Sequence, residues 1–426
     1  MSYELIAISM FLGMMALLMT GQRAFAGIGF IAVIAAIALW GDRGGHDLAF
    51  TSAIKLMNWF PMLTLPMFVW MGFVMSETRM ADDLYRMFHV WFGPVPGGLA
   101  VGTILLMVLV SAMNGLSVAG LAIGATIALP EMLRRGYDKV MVTGIIQGGS
   151  SLGILVPPSI VLVLYAMIAR QPVGHLWLAG VFPGLLMAAV FAAFSWFQAS
   201  RHGGAPAHPW LGLRAVGTAL RHSIWAVLMP PLILGGIYLG VFTAGEAAAI
   251  GAVYALAVAL LAYRNVGFRD LVDCTVETMR TSAMLFMIIA AAGMFGHAIT
   301  IIRLPAEIME AVTALGLSQT GFILVVMAAI FVLGMFLETI AIILITTPII
   351  LPVMTALDIN PIWYGVMLMI NLELALITPP VGMNLFVIKG ITNAPLSDIM
   401  RGAAPYVLLL VAGLFVTWLL DRKSTR

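Results

Sequence analysis

Two proline pairs, Pro157-Pro158 and Pro379-Pro380, each interrupt a long apolar segment and stand 222 residues apart. A proline in a membrane helix has no amide donor and pushes away the carbonyl of the preceding turn, which leaves backbone oxygens without partners at mid-membrane depth. Such oxygens can hold a cation. Corresponding breaks in two halves of a membrane protein point to the central site of a transporter. Two carboxylates, Glu338 and Glu373, lie in the same apolar surroundings. A carboxylate near the bilayer centre costs about 3 kcal/mol even on a lenient insertion scale, so each needs a partner and each is a candidate for a transport-related role.

The elements that position these residues repeat. The same ungapped shift pairs Leu129-Pro130 with Leu351-Pro352, Gly180 with Gly402 and Pro183 with Pro405. Proline and glycine carry the weight here, because they are placed for backbone reasons. The halves are residues 1–220 and 221–426. With 62% hydrophobic and 9% charged residues in 426, and a mean hydropathy of +1.07, the chain is an all-α polytopic membrane protein. Apolar runs near 3–20, 24–40, 52–75, 139–168 and 176–198 read as helices, with shifted partners at 225–242, 246–262, 274–297, 361–390 and 398–420. The runs at 139–168 and 361–390 are the broken helices. Residues 201–220 form a polar linker between the halves.

Runs at about 97–133 and 319–355 are nearly twice the roughly 20 residues a span needs, and their middles are polar or small. Each reads as a re-entrant hairpin whose tip stops at mid-membrane. That reading puts 14 of the 21 Lys and Arg residues on the cytoplasmic side, with Arg43, Lys55, Arg170, Arg303, Arg422, Lys423 and Arg426 outside. Each half then has five crossing helices and one hairpin. Five is odd, so the second repeat enters from the opposite face and the repeats are inverted. Amphipathic stretches at 78–92 and 301–315 are expected to lie along the interfaces. The apolar start resembles a signal peptide, but Glu4 replaces a basic n-region and the shift pairs it with a helix, so it is expected to remain as the first span.

Three motifs in order, Gly149-Ser-Ser-Leu-Gly-Ile-Leu-Val-Pro-Pro-Ser159, Phe242-Thr-Ala-Gly-Glu-Ala-Ala-Ala249 and Leu376-Ile-Thr-Pro-Pro-Val-Gly-Met-Asn-Leu-Phe386, resemble the large membrane subunit of TRAP transporters. The resemblance covers essentially the whole chain. It implies a sodium-driven, elevator-type importer of organic anions in the bacterial inner membrane, with C4-dicarboxylates as the family default. It also implies two partners, a four-helix small membrane subunit and a periplasmic solute-binding protein. Two sodium sites are implied between each hairpin tip and its broken helix. Carried onto this sequence, the first falls on Ser111, Asn114, Gly153, Val156 and Pro158, and the second on Gly334, Ala375, Thr378 and Val381. Glu338 departs mildly from the shorter carboxylate that relatives often carry at the second tip.

For the substrate, Asn114, Ser117, Thr339 and Asn384 sit at or beside the tips and offer neutral hydrogen bonds, alongside Glu338 and Glu373. Helix N-termini aimed at the midplane favour an anion. Glu246 reads as a helix N-terminal carboxylate and His297 as a satisfied packing histidine. No HExxH, GxSxG or Cys-His metal spacing suggests an enzyme, and nothing implies nucleic acid. The single Cys274 excludes an intramolecular disulfide. The nearest alternative is a stand-alone sodium-dependent carboxylate symporter.

Overall fold

Proline placement decides where several helices stop. The structure, a computed structural model, describes residues 3–40, 45–58, 60–115, 117–201 and 209–421, and every regular element among them is helical. The apolar run expected as one helix at 52–75 is divided into Gly45–Met57, a 3₁₀ turn at Phe60–Leu63 and Thr64–Glu77. Pro61 sits in that turn, where it supplies no amide and disfavours helical geometry at the residue before it. The corresponding stretch of the second half has no proline and runs unbroken for 34 residues, Phe268–Ile301.

The hairpins and breaks are built from short helices. The first hairpin has limbs Gly98–Asn114 and Ser117–Ile123, the second limb continuing through a π turn at Gly124–Ala128 into Leu129–Arg134. The first broken helix is Lys139–Ser150 and Ile160–Ile168. The second hairpin is Gln319–Gly334 and Thr339–Ala356, and the second broken helix is Pro361–Leu376 and Met383–Thr392. Short helices Met80–Phe92 and Leu304–Ala314 precede the hairpins. The linker expected at 201–220 is shorter than that. Arg201 ends helix Val173–Arg201, helix Leu213–Tyr238 begins inside the stretch, and residues 202–208 lie outside those described. Arg43 and the terminal Arg422, Lys423 and Arg426 also lie outside them.

A proline pair alone does not break a helix, since Pro230-Pro231 lies inside the continuous Leu213–Tyr238. The residues just after the prolines distinguish the two breaks. Ser159 starts the next helix by accepting the Leu162 amide on its Oγ at 3.3 Å, and Gly382, with φ +56°, turns the chain into the next one. Both proline–proline peptide bonds at the breaks are cis.

Six described helices are long and apolar enough to cross a membrane, among them Val173–Arg201, Phe268–Ile301 and Thr339–Ala356. The broken helices lie at the centre. Every residue from Ile160 to Ala166 and from Tyr364 to Leu376 is buried, and the rings of Tyr165 and Tyr364 meet at 6.3 Å between the two halves. Outer helices instead expose Leu408, Leu261 and Phe268, as a surface facing acyl chains requires. Close approach rests on small residues. A Cβ at Gly144 would lie 2.2 Å from the Gly402 carbonyl oxygen, so Lys139–Ser150 packs backbone to backbone on Leu396–Asp421. Glu246 fulfils its expected local role, with its carboxylate accepting the Thr243 amide at 2.7 Å in a capping box that opens helix Ala244–Ala257.

Candidate ion and substrate site

The first break supplies carbonyls by simple counting. In a continuous helix the oxygens of Gly153 and Ile154 would accept from the amides of residues 157 and 158, and both are prolines. Among the described residues no donor reaches the carbonyls of Gly153, Val156 or Pro158. The tip of the first hairpin is pressed into this gap. Gly115 adopts φ +66°, its amide donates to the Ser111 carbonyl at 2.7 Å, and a Cβ there would stand 2.9 Å from the Ile160 amide nitrogen. Ser111 is buried between two glycines. A Cβ at Gly120 would fall 2.0 Å from its Oγ, and one at Gly153 would fall 3.0 Å away. That Oγ has no partner among the described residues. A buried hydroxyl held between glycines, beside freed carbonyls, fits a small hard cation. The side chain of Asn114, expected at the same site, lies outside the described part of the structure.

The second break follows the same logic. Ala375 and Leu376 face Pro379 and Pro380 four residues on. The Ala375 carbonyl is taken by the Thr378 amide at 3.2 Å, while those of Leu376, Thr378, Val381 and Gly334 accept from no described donor. Gly382 marks where oxygens converge, since a Cβ there would lie 2.8 Å from the Thr378 carbonyl oxygen and 3.2 Å from that of Leu376. The hairpin tip docks directly. Gly382 donates its amide to the Met335 carbonyl at 3.2 Å, and a Cβ on Gly334 would come within 2.6 Å of the Ala375 Cβ. The Thr378 hydroxyl donates to Leu374 at 2.5 Å, which leaves its lone pairs for a cation.

The first hairpin and the second broken helix share a third region. Ser117, which opens the second limb of the first hairpin, donates a hydrogen bond to Oε1 of Glu373 in the second broken helix. Both are buried, and Glu373 Oε2 has no partner among the described residues. Asn384, in the first turn of Met383–Thr392, is fully buried with neither amide atom paired to a described residue, and its helix packs on the Ser117–Ile123 limb. Glu373 and Asn384, beside Ser117, thus offer unsatisfied polar groups that an anion with a hydroxyl or carboxyl could use.

Glu338 and Thr339 lie elsewhere on the second tip. Thr339 is the buried first residue of its helix. Glu338 precedes it without capping it, and faces a separate cavity of about 360 Å³ lined by Arg23, Phe25, Arg280, Thr281, Met284 and Ile288. Arg280 Nη1 meets Glu277 at 2.5 Å on one flank of that cavity. The two glutamates are therefore held in different surroundings. His297 also departs from expectation, for its Nε2 has no partner among the described residues and the residue lines a second, larger cavity.

Several residues that build the site were not among the expected site residues. Leu376 was recoverable by counting back four from Pro380. Gly382 was recoverable from its place directly after the proline pair. Gly120, Gln147 and Asn371 were not. Gln147 donates to the Ile399 carbonyl at 3.2 Å, and Asn371 donates to the Met327 carbonyl at 2.9 Å, so each fixes a broken helix to a neighbour remote in sequence.

Residues 11–421 match the family described as "DctM: Tripartite ATP-independent periplasmic transporter, DctM component". The chain is 39% identical over 367 residues to the C4-dicarboxylate TRAP transporter large permease protein DctM of Pseudomonas aeruginosa, covering 85% of this chain and 86% of that one. It is 31% identical over 377 residues to the isethionate TRAP transporter permease protein DctMQ of Oleidesulfovibrio alaskensis, covering 87% of this chain and 58% of that protein. Among solved structures it resembles the Alcanivorax borkumensis YdaH transporter, with a TM-score of 0.67 over 94% of this chain and 98% of that one at 15% identity, a likeness of fold alone.

Proposed function

Because the chain belongs to the DctM component family of tripartite ATP-independent periplasmic transporters, we propose that it performs sodium-coupled uptake of a small organic anion delivered by a periplasmic binding protein. It is a multi-pass protein of the bacterial inner membrane and a transporter permease, not an enzyme. One observation carries the sodium reading. The buried, unpartnered Oγ of Ser111 lies between Gly120 and Gly153, beside carbonyls that Pro157 and Pro158 deprive of donors. An ion bound there and a second near Gly382 would supply positive charge that the substrate region, lined by Ser117, Glu373 and Asn384, lacks. The relatives' substrates, a C4-dicarboxylate and isethionate, are both small acids. A C4-dicarboxylate is the substrate class we adopt, with a small membrane subunit as the second partner.

The inverted-repeat, elevator-type architecture belongs to the same proposal. Its support is the spacing of the helices. Ser117 and Arg134 bound a helical run that recurs at Thr339–Ala356, 222 residues on, and Lys139 and Pro361 open the broken helices at the same offset. The hairpins and broken helices would then move as a unit against the remaining helices.

Sodium titration of succinate uptake tests the ion sites, using vesicles that contain this chain, its small subunit and the cognate binding protein. Ser111→Ala and Thr378→Val each remove one oxygen, about 1 kcal/mol, and should raise the sodium concentration for half-maximal uptake by roughly fivefold. Unchanged sodium activation in both variants would remove these residues from the ion sites, and no sodium dependence in the parent would remove the coupling. Sidedness is checked separately in a Cys274→Ser background. Arg134→Cys should react with an impermeant thiol reagent only from the cytoplasm, and Asp358→Cys only from outside. The reverse pattern would overturn the orientation.

A further inference from the structure

A cavity of about 1030 Å³, the larger of the two described, lies apart from the hairpin tips. One wall is formed by Gly45–Met57 and Phe268–Ile301, and the other by Ile160–Ile168 and Thr339–Ala356, so it separates the outer helices from the broken helix and the second hairpin. Its described lining includes Lys55, Arg170 and His297 and no carboxylate. Lys55 and Arg170 are exposed and form no ion pair with any described residue. The Nε2 of His297 has no hydrogen-bond partner, and Thr51, Gln171 and Thr300 add neutral polar groups. The rest is largely apolar, with Leu164, Ile289 and Leu344 on facing walls.

Unpaired cations at the mouth of a low-dielectric cleft focus field lines and concentrate anions there. We propose that this cavity is an anion-collecting antechamber, in which the carboxylate of a small organic acid is held by Lys55 and Arg170 before it reaches the tips. Its apolar walls accept the carbon chain of such an acid, while Thr51, Gln171 and Thr300 can bond to further oxygens. In the orientation proposed above, Lys55 and Arg170 face the periplasm, so the antechamber is on the entry side. This rests on the uptake reading, but its test does not use uptake.

The test compares thiol labelling of Thr300→Cys, inside the cavity, with that of Val241→Cys, 71% exposed on an outer loop. The full chain carries Cys274→Ser, and the probes are an anionic and a cationic methanethiosulfonate, both impermeant and applied from outside. The anionic-to-cationic rate ratio should be about tenfold higher at Thr300→Cys than at Val241→Cys. Adding Lys55→Gln and Arg170→Gln should bring the two ratios together, whereas Lys55→Arg with Arg170→Lys should preserve the difference and show that the charge matters. Labelling at Val241→Cys reports correct insertion of every variant. Equal ratios at the two sites, persistence of the difference in the glutamine variant, or no labelling from outside would overturn the proposal. So would a preference seen in vesicles of zwitterionic lipid that vanishes when anionic lipid is added, because the cations would then be holding a headgroup. Failure of succinate uptake in the parent protein would instead sink the proposed function and leave the labelling result standing.

Discussion

Glu373→Ala is expected to lower uptake by one to two orders of magnitude at equal protein level. The carboxylate is fully buried, it accepts from the Ser117 hydroxyl across 256 residues of sequence, and its other oxygen is free for substrate or ion. A buried hydrogen bond to a charged group contributes about 1.5–3 kcal/mol, which is a factor of roughly 10 to 100. Glu373→Gln separates the possible roles, since it keeps the shape and an acceptor for Ser117 but loses the charge. If the carboxylate only joins the first hairpin to the second broken helix, the glutamine variant should approach parent activity. If it holds an additional cation, the effect should appear in the response to voltage. Two sodium ions with a dianion move no net charge, whereas each further positive charge contributes about 2.3 kcal/mol per 100 mV, a concentration ratio of roughly 50. Succinate uptake that responds to a valinomycin-imposed potential in the parent and not in Glu373→Gln would place the extra charge at this residue. A response retained in Glu373→Gln would exclude that placement. Glu338 is a weaker candidate for that charge, because it faces the cavity of Arg23 and Arg280.

Gly382→Ala is expected to abolish sodium stimulation, with more than a tenfold loss of uptake. The added methyl would stand 2.8 Å from the Thr378 carbonyl oxygen and 3.2 Å from that of Leu376, where a cation would sit. The left-handed backbone, φ +56°, adds about 1 to 2 kcal/mol of strain for any residue with a Cβ. Gly240→Ala isolates that strain, because Gly240 has φ +70° and a methyl added there would meet nothing within 4 Å. The control should retain most of its sodium-stimulated uptake. Equal losses in the two variants would mean that strain, and not obstruction of the oxygens, explains the phenotype.

The breaks were legible in the sequence because proline acts through covalent structure. Pro157, Pro158, Pro379 and Pro380 lack an amide wherever the chain places them, and the carbonyls they strand are found by counting back four residues. Local chemistry was legible for the same reason, as in the Thr243–Glu246 capping box. Pro230-Pro231 shows the limit, because an identical pair lies inside an unbroken helix and only the residues after it differ in kind from Ser159 and Gly382.

Sequence alone thus determined the membrane class, the 222-residue spacing of the proline pairs and the oxygens that lost their donors, since each depends on composition or on neighbours within one helical turn. Tertiary structure decided which of those groups meet. The burial of Ser111 between Gly120 and Gly153, the bond from Ser117 to Glu373, the separation of Glu338 from Glu373 and the placing of Lys55, Arg170 and His297 around one cavity all join residues from different helices. Helical periodicity fixes which face a residue occupies, but the partner across that face is set by how whole helices pack, and Leu, Ile, Val and Ala on every side of these spans leave that packing unmarked in the sequence.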